Sequence, residues 1–403
     1  MDRTPPPQSL RSGDAQNPGG FAHIAALDGV RGLAILLVLY CHLFSANPIS
    51  GSRIFNFLSE LRASSYVGVD LFFALSGFLI TGILQDTLHL PDFFKNFYAR
   101  RTLRIFPLYY GVLFVLLLLT RPLHFVWSGW QYFYLTYTSN LALWRSQPLI
   151  LPGFNITHFW SLQVEEQFYL VWPFLVYRVK RAQSLIKISL IACLVILLIR
   201  VVLVSLRSHF HKIYLPYSPT FSCADNLLYG CCLCALLRTS ARQRVLELAP
   251  RVLAFCAAIL LSAAVFYHGL VWETNLFVPT LGFSLVGISS AALIAMTLRP
   301  NSKTQRLFQN KTLRFFGKYS YGLYVFHYSL EAALTQRIRL VVDNHFHSKA
   351  LGVLAGACTV LIASILVSLL SFHFYEARFL RLKKYFSYNR RVQPTLEPQM
   401  STY

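Results

Sequence analysis

Two side chains able to do acid–base or anion chemistry bracket the first apolar stretch of this 403-residue chain. In L-D-G-V-R-G-L-A-I-L-L-V-L-Y-C-H, residues 27–42, Arg31 stands near the start and His42 at the end. On an α-helix the eleven steps between them close to within about 20° and rise about 16 Å, so both lie on one face. An ionisable group inside a membrane-length segment is costly to insert, which makes each a functional candidate whose partner must be sought. The plainer alternatives are a boundary anchor for Arg31 and a packing histidine for His42.

Three further clusters offer partners. V-G-V-D-L-F-F-A-L-S-G-F-L-I-T-G (67–82) places Asp70 in the first turn of the second apolar segment, as a reactive carboxylate or a helix-start cap. Y-A-R-R-T-L-R-I-F-P-L-Y-Y (98–110) gathers Arg100, Arg101 and Arg104, with Pro107 opening a third helix. Arg101 and Arg104 are three apart on one face, an arrangement suited to forked hydrogen bonds with phosphate oxygens, or to anchoring on anionic headgroups. T-H-F-W-S-L-Q-V-E-E-Q-F-Y-L-V-W-P (157–173) carries His158, Ser161, Glu165 and Glu166 into a fourth segment. Ser161 and Glu165 face the same way, as do His158 and Ser161, although Ser161 followed by Glu165 also resembles a helix-start cap. A histidine beside a carboxylate is the usual arrangement for general-base work on a hydroxyl.

These residues must be positioned by membrane helices. The chain is 55% hydrophobic and 13% charged, and apolar runs recur at 29–46, 66–85, 105–120, 159–177, 185–206, 223–237, 252–271, 276–298, 316–334 and 350–374. The expected class is an all-α polytopic protein of about ten transmembrane helices. With the N-terminus cytoplasmic, 27 of the 37 Lys and Arg fall in cytoplasmic loops, nine outside, and Arg200 within the fifth segment. Both termini are therefore expected in the cytoplasm. The arginine cluster then faces inward, while Asp70, His158, Glu165 and, more deeply, His42 approach from outside. The net charge of +21 is absorbed by this loop bias, which lowers nucleic acid as a partner.

The aromatic stretch 130–144 suits the membrane interface. The eight cysteines lie in or beside apolar runs, so C-C-L-C at 231–234 is expected to be small apolar filler, with no metal site and no disulfide framework. Residues 1–22 have the composition of a disordered cytoplasmic tail without a signal peptide, 23–382 form the membrane domain, and 383–403 a cytoplasmic tail. No internal repeat is visible, which weakens a transporter reading.

Taken together, the four motifs at 27–42, 68–80, 98–109 and 158–173, with Y-S-Y-G-L-Y-V-F-H at 319–327 and F-Y-E at 374–376, resemble the membrane acyltransferase 3 family over residues 23–382. That family moves acyl groups, often acetyl, onto envelope and secreted glycans. The resemblance implies that Arg31 and His42 form its signature pair, with His42 the catalytic histidine and Glu165 an essential acid. It implies that Arg101 and Arg104, with Arg31 and Arg100, serve the phosphates of an acyl-CoA donor, acetyl-CoA foremost. Asp70 joins His42 and Glu165 as a catalytic candidate, and His158 and Ser161 are acceptor-side candidates. The partners would be acyl-CoA, a glycan or other hydroxyl acceptor and the bilayer, in the cytoplasmic (inner) membrane. Two departures stand out: Cys223 occupies the place two before Asp225 where members often carry Arg, and the common E-x-P reads Glu376-Ala377-Arg378, which argues against Glu376 as a site. The form is expected to be stand-alone, without an esterase-like domain after the helices. The rival readings are a transporter or flippase binding a solute or proton, and a scaffold whose polar groups only pack.

Overall fold

The computed structural model describes residues 24–43, 62, 65–120, 129, 131–142, 150–151, 154–206, 217–267 and 276–388. The expected tail 1–22 and most of 383–403 lie outside the described residues.

Apolar runs in a bilayer must satisfy every backbone group internally, and the chain does so as helices. In order they are α1 (Ala25–Leu43), α2 (Val67–Thr87), α3 (Phe93–Leu118), α4 (Trp160–Val179), α5 (Ala182–Ser205), α6 (Asp225–Leu236), α7 (Arg242–Phe266), α8 (Phe283–Thr297), α9 (Lys311–Phe346) and α10 (Lys349–Ser371). Each matches one expected apolar segment, and the protein is an all-α polytopic membrane protein. Among the described residues, seven stretches are long and apolar enough to cross a membrane by length and composition. The three helices outside that set have clear reasons: α4 carries Glu165, Glu166 and Arg178, α9 is rich in charge, and α6 has only 12 residues. The only strand pairing among the described residues is Ile150–Leu151 with Phe154–Asn155.

Pro107 does not open the third helix. It lies inside α3, which begins at Phe93 and so includes the whole arginine cluster. Proline is tolerated in membrane helices where neighbours supply hydrogen bonds. The carbonyl that Pro107 frees is that of Leu103; close by, the Tyr321 hydroxyl donates to the Ile105 carbonyl at 2.6 Å and the Tyr375 hydroxyl to the Pro107 carbonyl at 3.0 Å, bracing the helix at this point.

The centre of the bundle holds α1, α2, α6 and α8, with α9 against α1. The most apolar window of α2 is 72% buried and that of α7 only 17%, so α2 is core while α7 turns Phe255, Leu261 and Val265 outward. Between helices in lipid the hydrophobic effect is weak, and small residues that allow close backbone contact drive packing. A Cβ on Gly317 would collide with the Asp28 carbonyl, and one on Gly32 with the Leu313 carbonyl, so α1 and α9 touch backbone to backbone. Gly77 meets the Leu227 carbonyl and Gly230 the Ala74 carbonyl in the same way, joining α2 to α6. Cys231 and Cys234 pack in this second seam, their thiols near the Gly77 carbonyl and Gln85.

The contacts also give relative direction. Asp28 and Gly32 meet Gly317 while His42 meets His327, so α1 and α9 run parallel. Asp70 meets Asn226 while Asp86 meets Arg238 beyond the end of α6, so α2 and α6 run parallel too. These are the relations that alternating spans require of two odd-numbered and two even-numbered helices.

Part of the aromatic stretch at 130–144 is described, as the short helices Gln131–Leu135 and Ser139–Ala142. They are tied to α4. Gln163 accepts from the Ser139 hydroxyl at 2.7 Å and the Asn140 amide at 2.8 Å, and Gln167 donates to the Tyr137 carbonyl at 2.7 Å.

Candidate active site

Two polar poles lie along the inner face of α1. At the first, Arg31 of α1 and Arg101 and Arg104 of α3 line a cavity of about 100 Å³ together with Glu165 and Tyr169 of α4, Ser76 of α2 and Tyr321 and Tyr324 of α9. Phe72, Phe73 and Val69 give it one apolar wall. Arg31 forms an ion pair with Asp28 at 3.2 Å. The Ser76 hydroxyl donates to Glu165 Oε1 at 2.6 Å, Tyr169 bonds the same carboxyl group, and Arg101 and Arg104 are its opposite charges. Arg101 also lies over the Tyr169 ring, 5.5 Å from its centroid. Such stacking favours a guanidinium over an ammonium at this place.

Two further residues complete this pole: Lys383, which sequence reasoning passed over, and Glu376, against which it argued. Lys383, beyond α10, is close enough to Arg104, Arg101, Arg100 and Arg31 for its charge to bear on theirs. Glu376 is buried at the end of the π-helical turn Phe372–Glu376, accepts from the Ser371 hydroxyl at 3.0 Å, and has Arg104 as a charged neighbour. The lost E-x-P pattern therefore did not remove Glu376 from this region. Arg100 turns away from the cavity. Its fork donates to the Lys383 and Phe386 carbonyls, both at 3.1 Å, and sits over the Tyr388 ring. Burial lifts the Tyr388 hydroxyl above its usual range, against the pull of Arg101 and Arg100.

At the second pole three histidines meet. His42 of α1, His158 just before α4 and His327 of α9 have His42–His327 and His158–His327 ring centroids each 5.0 Å apart. Tyr328 stacks against His42 with centroids at 4.5 Å. His42 Nδ1 is 2.9 Å from the Val38 carbonyl and 3.3 Å from His327 Nε2. His327, fully buried, has Nδ1 at 2.8 Å from the Tyr324 carbonyl and 3.1 Å from the Leu323 carbonyl. His158 Nε2 is 2.8 Å from the same Tyr324 carbonyl, while its Nδ1 is buried without a partner among the described residues. No carboxylate is a hydrogen-bond partner of His42 among the described residues.

Ser161 and Tyr324 link the poles. Both line the cavity, their hydroxyls hydrogen-bond each other, and the Tyr324 hydroxyl also donates to the His158 carbonyl at 2.7 Å. Ser161 therefore does not cap α4, which begins at Trp160 after a 3-10 turn and has no side-chain cap.

Glu165 and Asp70 are not where a histidine–carboxylate pair would put them. Glu165 sits with the arginines, two helical turns beyond His158. Asp70 joins a separate buried network, where Asn226 donates to its Oδ1 at 2.7 Å and its Oδ2 has no partner. The centre of that network is Arg200, whose two terminal nitrogens meet the two oxygens of Asp225, each at 2.7 Å. Arg200 also donates to the Ser222 carbonyl at 2.9 Å and to Ser284. The guanidinium for Asp225 thus comes from α5, and the Cys223 thiol donates to the Pro219 carbonyl at 3.2 Å. Among the described residues no group of three or more His, Cys, Asp or Glu is arranged to hold a metal ion.

His327 and Arg200 were findable by the rule that singled out His42, since each is ionisable within an apolar segment. Glu376 had a signal in F-Y-E and was set aside on the broken E-x-P pattern; Lys383 had none, because its proximity depends on how the chain turns after α10.

Residues 24–373, which carry both poles apart from Glu376 and Lys383, match the profile of the acyltransferase domain. The chain belongs to the acyltransferase 3 family. Within the family, YrhL of Bacillus subtilis is 30% identical over 396 residues, a match spanning 92% of this chain and 57% of YrhL. The peptidoglycan O-acetyltransferase OatA of Listeria monocytogenes is 29% identical over 383 residues, spanning 88% of this chain and 55% of that protein. The O-acetyltransferase OatA of Staphylococcus aureus is 26% identical over 336 residues. The chain therefore spans about half the length of the curated relatives it matches. No solved structure matches it.

Proposed function

We propose that this chain is an integral membrane O-acyltransferase of the cytoplasmic (inner) membrane. It takes an acyl group, acetyl foremost, from cytoplasmic acyl-CoA and delivers it to a hydroxyl of an envelope or exported glycan. The observation that carries this reading is the pairing of a cation-rich cavity with a histidine cluster along one helix face, about 16 Å apart by helical rise. Coenzyme A has the same division, with phosphates at one end and a thioester at the end of a long flexible arm. Arg31, Arg101, Arg104 and Lys383 would hold the phosphates, for which forked guanidinium bonds are well suited. The apolar wall of Val69, Phe72 and Phe73 would lie along the arm.

In this reading His42 accepts the hydroxyl proton on Nε2, the nitrogen left without a partner among the described residues. The hydroxyl oxygen attacks the thioester carbonyl, the carbon–sulfur bond breaks, and the thiolate takes the proton from His42. A covalent route through acyl-Nε2 uses the same open nitrogen. Accumulation of acylated His42 with donor alone distinguishes the two. The glycan assignment is supported by YrhL and the Listeria OatA, whose names both carry the words peptidoglycan O-acetyltransferase. Glu165 is assigned to the donor pole, where it orders the arginines, and His158 and Ser161 to the acceptor side.

The test is transfer of labelled acetyl from acetyl-CoA to peptidoglycan strands or N-acetylglucosamine oligomers by protein in proteoliposomes. His42→Ala and Glu165→Ala are each expected to lower transfer by about 10²-fold or more while the protein still elutes as folded. Wild-type rates in both variants remove the assignment. Movement of unmodified glycan across the bilayer without ester formation supports a flippase instead.

A further inference from the structure

The motif at 319–327 ends in His327, and nothing in the reaction as written so far uses it. Hydrogen-bond logic gives it a role. A backbone carbonyl only accepts, so a ring nitrogen beside one must carry a proton. His327 Nδ1 faces the Leu323 and Tyr324 carbonyls at 3.1 and 2.8 Å, and is therefore the protonated nitrogen. Its Nε2 is then a lone pair, 3.3 Å from His42 Nδ1. His42 Nδ1 in turn faces the Val38 carbonyl at 2.9 Å, so it too carries a proton, shared between Val38 and His327 Nε2. Each ring is thereby held in one tautomer, and His42 is left with its lone pair on Nε2.

We propose that His327 is the positioning residue of His42, taking the place that a carboxylate holds in an ordinary histidine–carboxylate pair. This rests on His42 being the base of the proposed transfer. His327 fixes the His42 ring by accepting its Nδ1–H, and that bond becomes charge-assisted when Nε2 takes the acceptor proton. The surroundings suit a neutral partner. His327 is fully buried, and a lone carboxylate there would carry the full penalty of an unpaired buried charge. The carboxylates expected to serve, Glu165 and Asp70, are engaged by Ser76 and Asn226 instead. A neutral partner stabilises the imidazolium less than a carboxylate does, so the proton passes on readily to the leaving thiolate. His158 supports the frame from the other side by donating to the Tyr324 carbonyl that also holds His327.

Two substitutions separate positioning from packing. His327→Phe keeps the ring and loses the acceptor, whereas His327→Gln loses the ring and keeps an acceptor oxygen. With acetyl-CoA and peptidoglycan strands, His327→Phe is expected to lower kcat by about 10²-fold with KM for acetyl-CoA unchanged within about twofold, while His327→Gln stays within about tenfold of wild type. A packing role predicts the reverse order, with Phe the milder change. That order, or wild-type kcat in His327→Phe, overturns the proposal. An independent reading is the ¹⁵N spectrum of histidine-labelled protein in nanodiscs, assigned by loss of signals in His42→Ala. His42 is expected as the Nδ1–H tautomer in the wild type and as a tautomer mixture in His327→Phe, and an Nε2–H His42 in the wild type overturns the proposal without any turnover. Full transfer by His42→Ala is the separate outcome that removes the base assignment itself.

Discussion

Two buried polar regions lie in the same bundle and are built on opposite principles. Around Arg200, one guanidinium and one carboxylate are matched by geometry: both oxygens of Asp225 face the guanidinium fork, with the Ser222 carbonyl and Ser284 beside them, and Asp70 stands apart on Asn226. Arg200 and Asp225 side chains are both fully buried. At the foot of α1, three guanidinium groups, Arg31, Arg101 and Arg104, line the cavity with one carboxylate, Glu165, while Asp28 pairs with Arg31 beside it. A matched buried pair holds helices together and offers a ligand nothing. An excess of cations around empty space is costly unless an anion comes to occupy it, which is why the second region, and not the first, is assigned to the donor.

The largest effect should come from breaking the matched pair. Asp225→Ala leaves Arg200 charged and buried, and is expected to cost about 3–5 kcal/mol, seen as loss of the folded peak in detergent chromatography. The double variant Arg200→Met/Asp225→Leu should recover folding, because paired removal leaves no orphan charge. A stable Asp225→Ala would show that the pair does not hold the bundle.

Next in size is Arg104→Gln in the cavity. Losing one cation from a surplus should leave folding intact and raise KM for acetyl-CoA about thirtyfold, equivalent to about 2 kcal/mol. Destabilisation comparable to Asp225→Ala would erase the contrast between the regions. Ser76→Ala removes the hydroxyl that bonds Glu165 and should lower turnover about fivefold, near 1 kcal/mol. An unchanged rate would place Glu165 under the control of Tyr169 and the arginines alone. The smallest effect belongs to Cys223→Ser, which keeps a donor toward Pro219 and should shift stability by no more than about 0.5 kcal/mol, measured by thermal unfolding. A large loss there would return Cys223 to the network from which Arg200 displaces it.

Much of this was legible beforehand, for identifiable reasons. Helix positions follow from apolar run length, which the bilayer imposes, so all ten segments became helices. Arg31, Arg101 and Arg104 converge because charge at one membrane boundary is a one-dimensional property that a sequence records directly. Which carboxylate serves which cation is a matter of lateral packing, and the spacing of residues along a chain does not carry it. Glu165 was therefore expected near His42 and lies with the arginines, and Asp70 was expected to be reactive and is bonded to Asn226. Arg100 is the same lesson within one motif. It adjoins Arg101 in sequence, yet a helix turns about 100° per residue and sends its fork to the carbonyls of Lys383 and Phe386.

The glycine seam between α1 and α9 has a mechanical meaning. Gly32 precedes His42 by the same ten residues that separate Gly317 from His327, and the two helices run side by side in one direction. The pair works like a pair of tongs whose pivot is the glycine contact and whose tips are the two imidazoles, about 15 Å away. A methyl group added at the pivot would open the tips, so the tolerance to which the rings are aligned is set where no reactive atom is found.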